Sequence, residues 1–119
     1  MPMTAHDFLS VLTSKVPETQ HLVTEHLAHN DELLLHLLTA DLLRYAIEEF
    51  DSGHRDKLGK LLDVIESALR DGTEYVTNAM AVSFVEDTGW WDPQMQPFID
   101  AWPSELRAEV ERQRRSRTA

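Results

Sequence analysis

Cysteine is absent from the 119-residue chain, and this absence excludes several kinds of chemistry at once. Without thiols the protein has no disulfides, no zinc-finger or iron–sulfur site and no thiolate nucleophile. Glycine is scarce, at four residues, and neither a phosphate-binding loop nor a dinucleotide fingerprint occurs. No apolar run approaches the roughly 20 residues that span a bilayer. The sequence therefore predicts a chain that folds on an apolar core alone.

Basic residues are also few, with 11 Lys and Arg against 21 Asp and Glu, a net charge of −10. Residues 1–102 carry 18 acids and 6 bases, whereas residues 103–119 carry 3 acids and 5 bases. An acidic body repels nucleic acid and anionic membranes and attracts basic proteins. We expect a basic protein partner, no nucleic acid and no membrane; the alternative is that the charge serves solubility only.

Apolar residues recur at helical spacing along the chain, and no segment alternates like a half-buried strand. Gly53, Gly72 and Gly89 each follow an apolar periodic segment, where helices commonly end. The pattern predicts an all-α, compact single-domain bundle of five to seven helices over residues 1–111. Residues 112–119 are basic and lack apolar positions, so we expect a frayed C-terminal tail.

Two segments are apolar nearly all round, residues 32–50 and 73–85, and such helices belong at the centre of a bundle. Asn30 and Asp31 precede the first of them. They mark either a break between two helices or a polar spot within one longer helix.

Whether four histidine and glutamate side chains share one helix face depends on which of these two alternatives is correct. In a continuous helix, residues at i, i+4, i+7 and i+11 share one face, and the four residues with this spacing are Glu25, His29, Glu32 and His36. These ligand types suit Zn, Fe or Mn, but di-iron bundles need two Glu-x-x-His pairs, and only Glu18-x-x-His21 occurs. We therefore predict no metal and no cofactor.

Other polar residues give no catalytic signature. His36 aligns with apolar positions, which is typical of a buried, hydrogen-bonded histidine. Glu86 also aligns with apolar positions; a half-buried carboxylate there would act as an acid or base, pair with an arginine or cap a neighbouring helix. Ser10, Ser14 and Ser83 lack a nucleophile motif. No catalytic residue is assigned, and the chain is predicted not to be an enzyme.

Aromatic residues concentrate in residues 90–102, which include Trp90, Trp91 and Trp102. Tryptophan is enriched at interaction hot spots and is equally a good core residue. Two adjacent tryptophans on a turn do not both point inward easily. We therefore expect at least one of Trp90 and Trp91 to be partly exposed.

Residues 75–87, YVTNAMAVSFVED, follow an amphipathic helix and resemble an NAxAVSFxE-type helix of small uncharacterised bacterial all-α domains. The resemblance covers about residues 37–110. Domains of this group carry no assigned reaction, so the resemblance implies no catalytic residue. Their small, acidic, helical form is similar to that of immunity-type proteins, which neutralise partner toxins.

The hypothesis that these patterns favour is a protein-binding module, specifically an immunity-like inhibitor of a basic partner protein. Its binding residues would be an acidic face and tryptophan anchors: Asp41, Glu48, Glu49, Asp51, Trp90, Trp91 and Trp102. Residues 1–7 lack the features of a signal peptide, so we expect a cytoplasmic protein. The alternatives are a metal-dependent helical-bundle enzyme and a structural or regulatory helical homodimer; monomer and homodimer both stay open.

Overall fold

Thr4 begins the helical part of the chain. In the computed structural model, which describes residues 1–118 and the side chains of residues 1–117, the Thr4 hydroxyl accepts a hydrogen bond from the Asp7 N–H at 3.1 Å. The Asp7 carboxylate accepts one from the Thr4 N–H at 3.0 Å, which holds the pKa of that carboxyl below its usual value. This reciprocal pair satisfies N–H groups that a helix start leaves unpaired.

Seven α-helices dominate residues 1–118, and no strand occurs in that range. They are α1 (Ala5–Lys15), α2 (Gln20–His29), α3 (Leu35–Asp51), α4 (Arg55–Asp71), α5 (Glu74–Met80), α6 (Gln96–Asp100) and α7 (Ser104–Thr118). Three 3-10 turns (Pro17–Thr19, Glu86–Thr88 and Pro93–Met95) and one π-helical turn (Ala81–Val85) extend or join them. The predicted all-α bundle of five to seven helices is confirmed.

The core lies where α3, α4, α5 and the π-helical turn pack on one another, with α1 and α7 against α4. The apolar stripe of α4 contributes most to it through seven buried residues: Leu58, Leu61, Leu62, Val64, Ile65, Ala68 and Leu69. Burying each large apolar side chain stabilises the fold by roughly 1.5–3 kcal/mol. These contacts hold α3 firmly, so that its outer side forms one wall of the groove described below.

Gly72 allows a close turn between α4 and α5. A Cβ at this position would lie 2.4 Å from the carbonyl oxygen of Ala68, so no larger residue fits without movement. The N-terminus pairs here, because Met3 donates to the carbonyl of Asp71 at 2.8 Å and accepts from Thr73 at 2.9 Å. The turn therefore joins three parts of the chain.

The chain breaks between α2 and α3. Asn30 has extended backbone angles, so α2 ends at His29, and α3 begins only at Leu35. Glu25 and His29 thus lie on one helix, Glu32 lies in the link and His36 lies on the next helix. The four residues therefore do not share a helix face.

The leucine-rich segment is only partly central. Leu35 and Leu38 are fully buried, whereas Leu37 is 54% exposed. Residues 35, 38 and 42 face the core at helical spacing, and Leu37 falls on the opposite side, beside α2. A large apolar side chain is therefore exposed to solvent at the start of α3.

The basic C-terminal residues differ from the frayed tail that the sequence predicts. Residues 112–118 continue α7 to Thr118, and Ala119 lies outside the described residues. The guanidinium group of Arg117 lies 4.3 Å from the ring centre of Trp91 and 5.4 Å from that of Trp90. These cation–π contacts pack the end of α7 against the rest of the protein, although residues 112–118 have no apolar stripe.

Candidate functional site

An open groove runs between α2 and α3. It consists of two depressions, of about 340 and about 220 Å³, whose linings share Glu25, Asp41 and Arg44. The ionisable residues that line this α2–α3 groove are His21, Glu25, His26, His29, Asp41, Arg44, Tyr45 and Glu48. Exposed Leu37 lies at one end and Tyr45 at the other.

The groove lies in an acidic part of the chain. Residues 18–53 contain eight acidic residues and one basic residue, a net charge of −7. The one basic residue, Arg44, forms an ion pair with Asp41 on the same helix. Glu25 and Glu48 remain exposed carboxylates. The resulting negative field reaches about one Debye length into solvent, ~8 Å at physiological ionic strength.

Tyr45 closes one end of the groove. Its partial burial, followed by the carboxylates of Glu49, Glu18 and Glu48, raises the pKa of the phenol to about 12. The phenol therefore stays neutral at physiological pH. The His21 ring packs edge-on to the phenol ring, with 6.5 Å between the ring centres.

His26 holds the other end. It is 5% exposed, and its Nε2 accepts a hydrogen bond from the Leu34 backbone N–H at 2.9 Å. The Asn30 side-chain nitrogen donates to the His26 carbonyl oxygen at 2.8 Å and so caps the end of α2. Sequence reasoning missed His26, although its spacing from Thr19 and Val23, both buried, is the signal of an inward face.

The structure separates the four acidic residues that were predicted to bind a partner. Asp41 and Glu48 line the groove, as described. Glu49 is mostly buried and its carboxylate lies 2.5 Å from Nδ1 of His54, while Asp51 is exposed at the end of α3. Only Asp41 and Glu48 therefore belong to one continuous surface.

Two of the three tryptophans are not available as anchors, which corrects the prediction for Trp90 and Trp102. Trp102 is 2% exposed, and its ring packs 5.6 Å from Phe84 and 5.5 Å from Phe98. Trp90 is likewise buried. Both indoles fill the core because that removes a large apolar area from water. Trp91 is 53% exposed, as expected of one of the adjacent pair, but it lies against α7 and not in the groove.

Comparison with known families gives one match. Residues 9–116 match the family described as Domain of unknown function (DUF7674). The chain belongs to this family. No curated protein and no solved structure matches it. Membership agrees with the expected resemblance to an uncharacterised domain, and the family description assigns no reaction to this DUF7674 domain.

His36 and Ser83 form a second polar contact in the DUF7674 domain. Nδ1 of His36 lies 2.8 Å from Oγ of Ser83, which joins α3 to the π-helical turn. A serine bonded to a histidine is one element of nucleophilic sites, but the Ser83 hydroxyl is buried in the core, where a substrate has no access. The contact satisfies a buried hydroxyl and positions α3.

Within residues 1–118, no group of three or more His, Asp or Glu side chains is arranged to hold a metal ion. In the same range, no helix of the DUF7674 domain has the length and apolar character to cross a membrane.

Proposed function

We propose that this DUF7674 domain is a non-enzymatic, cytoplasmic protein-binding module whose α2–α3 groove receives a basic segment of a partner protein. The observation that carries the proposal is the placement of Glu25, Asp41 and Glu48 along the groove, within a stretch of chain, residues 18–53, whose net charge is −7. Carboxylates placed in this way attract lysine and arginine side chains and exclude acidic competitors.

The apolar part of the contact is Leu37. This side chain is exposed beside Asp41, so a partner residue that covers it removes apolar surface from water next to a charge pair. The acidic field raises the association rate, and the buried apolar contact lowers the dissociation rate. In this proposal Leu37 takes the anchoring role that the sequence analysis predicted for Trp90, Trp91 and Trp102.

An immunity-like inhibitor of a bacterial toxin is the specific form of this function that we favour. Such an inhibitor covers a basic working surface of its target with its own carboxylates. The small size of the domain and its acidic groove support this assignment. In the alternative, a helical homodimer, Leu37 would be covered by a second copy.

A peptide titration tests the proposal. The probe is a panel of synthetic peptides that combine Lys or Arg with leucine at helical spacing, and the readout is the ¹H–¹⁵N NMR spectrum of the domain. We expect the shifts to change along α2 and α3 and to leave α4 unchanged. The double variant Asp41→Asn/Glu48→Gln should lower the association rate several-fold and flatten its salt dependence.

The matched control is Asp63→Asn/Glu74→Gln, which removes the same two charges from exposed positions outside the groove. The control should bind like the natural chain. Equal effects of the two double variants, or shift changes spread evenly over the surface, would contradict a groove-specific function. A mass twice that of the chain, lost in Leu37→Asp, would favour the homodimer instead.

A further inference from the structure

The link between α2 and α3 depends on a ring nitrogen that carries no hydrogen. The Leu34 N–H donates to Nε2 of His26, and this nitrogen accepts only while its lone pair is free. The neutral His26 ring therefore bears its hydrogen on Nδ1. The Asn30 side-chain nitrogen, 3.5 Å from this ring nitrogen, then donates to the His26 carbonyl oxygen and not to the ring. Protonation of the ring adds a second hydrogen, on Nε2. The Nε2–H and the Leu34 N–H would then face each other as two donors, with no acceptor between them.

We propose that His26 is a pH-sensitive latch of the α2–α3 groove, closed when its ring is neutral and open when the ring is protonated. Leu34 is the residue before α3, and its own side chain does not cap that helix start. Two hydrogen bonds fix the entry into α3: the one from Leu34 to His26, and one that the Leu35 N–H donates to the Tyr75 hydroxyl at 3.3 Å. The latch is closed while the ring is neutral and opens when acid protonates it.

Other ionisable groups lie on the elements around the latch. Glu25 and His29 of α2 and Asp41 and Arg44 of α3 line the same depression. The link adds exposed Asp31 and Glu32, and the turn before α2 adds Glu18, whose charge acts on Tyr45. The carboxylates attract a protonated His26, but none of them converts the Leu34 N–H into an acceptor. Protonation therefore still breaks the hydrogen bond.

The consequence for binding rests on the proposed function. Asn30 and Leu37 line the end of the groove that the latch holds, so an open latch changes the shape of the apolar contact. Protonated histidines at positions 21, 26 and 29 also reduce the negative charge of the groove. Both effects weaken the binding of a basic segment in acid.

NMR on the domain without any partner tests the latch. Long-range ¹H–¹⁵N spectra of the histidine rings should show His26 with its hydrogen on Nδ1 at about pH 7.5. Hydrogen exchange should show the protection factor of the Leu34 amide falling about tenfold between about pH 7.5 and about pH 5.5, the equivalent of one net hydrogen bond.

Two variants separate the latch from general charge effects. His26→Gln places an amide oxygen near the Leu34 N–H and does not titrate, so the Leu34 protection factor should become independent of pH. His29→Gln makes the same chemical change at an exposed position and should keep the natural response.

A natural-chain His26 with hydrogen on Nε2 at neutral pH would overturn the latch, and this measurement needs no variant. Leu34 protection that is unchanged with pH, or a pH response that survives in His26→Gln, would overturn it equally. These readouts involve no peptide, so a latch that works beside a groove that binds no basic peptide would reject the proposed function alone.

Discussion

The indole Nε1 of Trp90 donates a hydrogen bond to the side-chain carbonyl oxygen of Gln113, 2.8 Å away. The nitrogen of the same Gln113 amide donates to the carbonyl oxygen of Ala81 at 2.9 Å and to Glu109 at 3.0 Å. Ala81 is the first residue of the π-helical turn. One half-buried amide therefore connects α7, the tryptophan pair and the π-helical turn.

Replacing Gln113 by alanine should destabilise the protein. The change leaves Nε1 of Trp90 without its acceptor, and an unsatisfied buried group costs about 1–3 kcal/mol. The Ala81 carbonyl loses one donor but still accepts from the Glu86 N–H. Urea unfolding followed by tryptophan fluorescence measures the loss. Gln94→Ala, at an exposed position, is the matched control and should change stability by less than about 0.5 kcal/mol. Equal midpoints for the two variants would refute the connecting role of Gln113.

Replacing Trp91 by alanine should fray the last turn of α7. Arg117 stacks on the Trp91 ring, and a cation–π contact at an exposed site is worth about 0.5–1 kcal/mol. Amide exchange of residues 114–117 should accelerate, while exchange within α4 stays the same. Tyr75→Ala, which also removes an exposed aromatic ring, should leave α7 unchanged. Rapid amide exchange of residues 114–117 in the natural chain, as fast as in Trp91→Ala, would contradict this prediction.

Two neighbouring leucines should respond in opposite ways to aspartate. Leu38 is fully buried, so Leu38→Asp places an unpaired charge in the core at a penalty of several kcal/mol, comparable with the total stability. Leu37 is more than half exposed, so Leu37→Asp should keep the fold. Circular dichroism and thermal unfolding distinguish the two. Loss of the fold in both variants would show that Leu37 is covered in solution, for example by a second copy.

Tyr45 should make the protein lose stability in alkali. The pKa of its phenol is raised to about 12, chiefly by burial, whereas an unfolded tyrosine titrates near pH 10. The folded chain therefore retains a proton that the unfolded chain releases. The stabilisation is complete below about pH 10 and is lost as pH rises toward about 12. The loss is less than the ~2.7 kcal/mol equivalent of the shift, because water screens the partly exposed phenol.

Unfolding in urea at a series of alkaline pH values measures this effect. Tyr45→Phe should show a smaller fall in the free energy of unfolding between about pH 9 and pH 11 than the natural chain. Tyr75→Phe, which removes the hydroxyl of the other tyrosine, is the control and should retain the alkaline loss. Identical pH profiles for Tyr45→Phe and the natural chain would contradict the role of Tyr45.

Local sequence patterns predicted most of the helices, although not the helical continuation of residues 112–118. The stripe of α4 repeats at the period of a helix, and Thr4 and Thr73 stand where N-caps belong and do accept backbone hydrogen bonds. Gly89 adopts a left-handed conformation at the end of its 3-10 turn. These features depend on residues three to four positions apart, so their physical cause is contained within a short stretch of chain.

The surfaces depended on contacts between residues far apart in sequence. Composition gave the acidity of residues 18–53, but only the packing of α2 on α3 placed Glu25 beside Asp41 and turned charge into a groove. Nothing local to Trp90 reveals that Gln113 and Arg117 cover it, and nothing local to Leu37 reveals that it stays open. The sequence by itself determined most of the helices and the sign of the charge, because periodicity and composition are local. The tertiary structure decided which tryptophans are buried, because burial depends on which distant side chains compete for the same space.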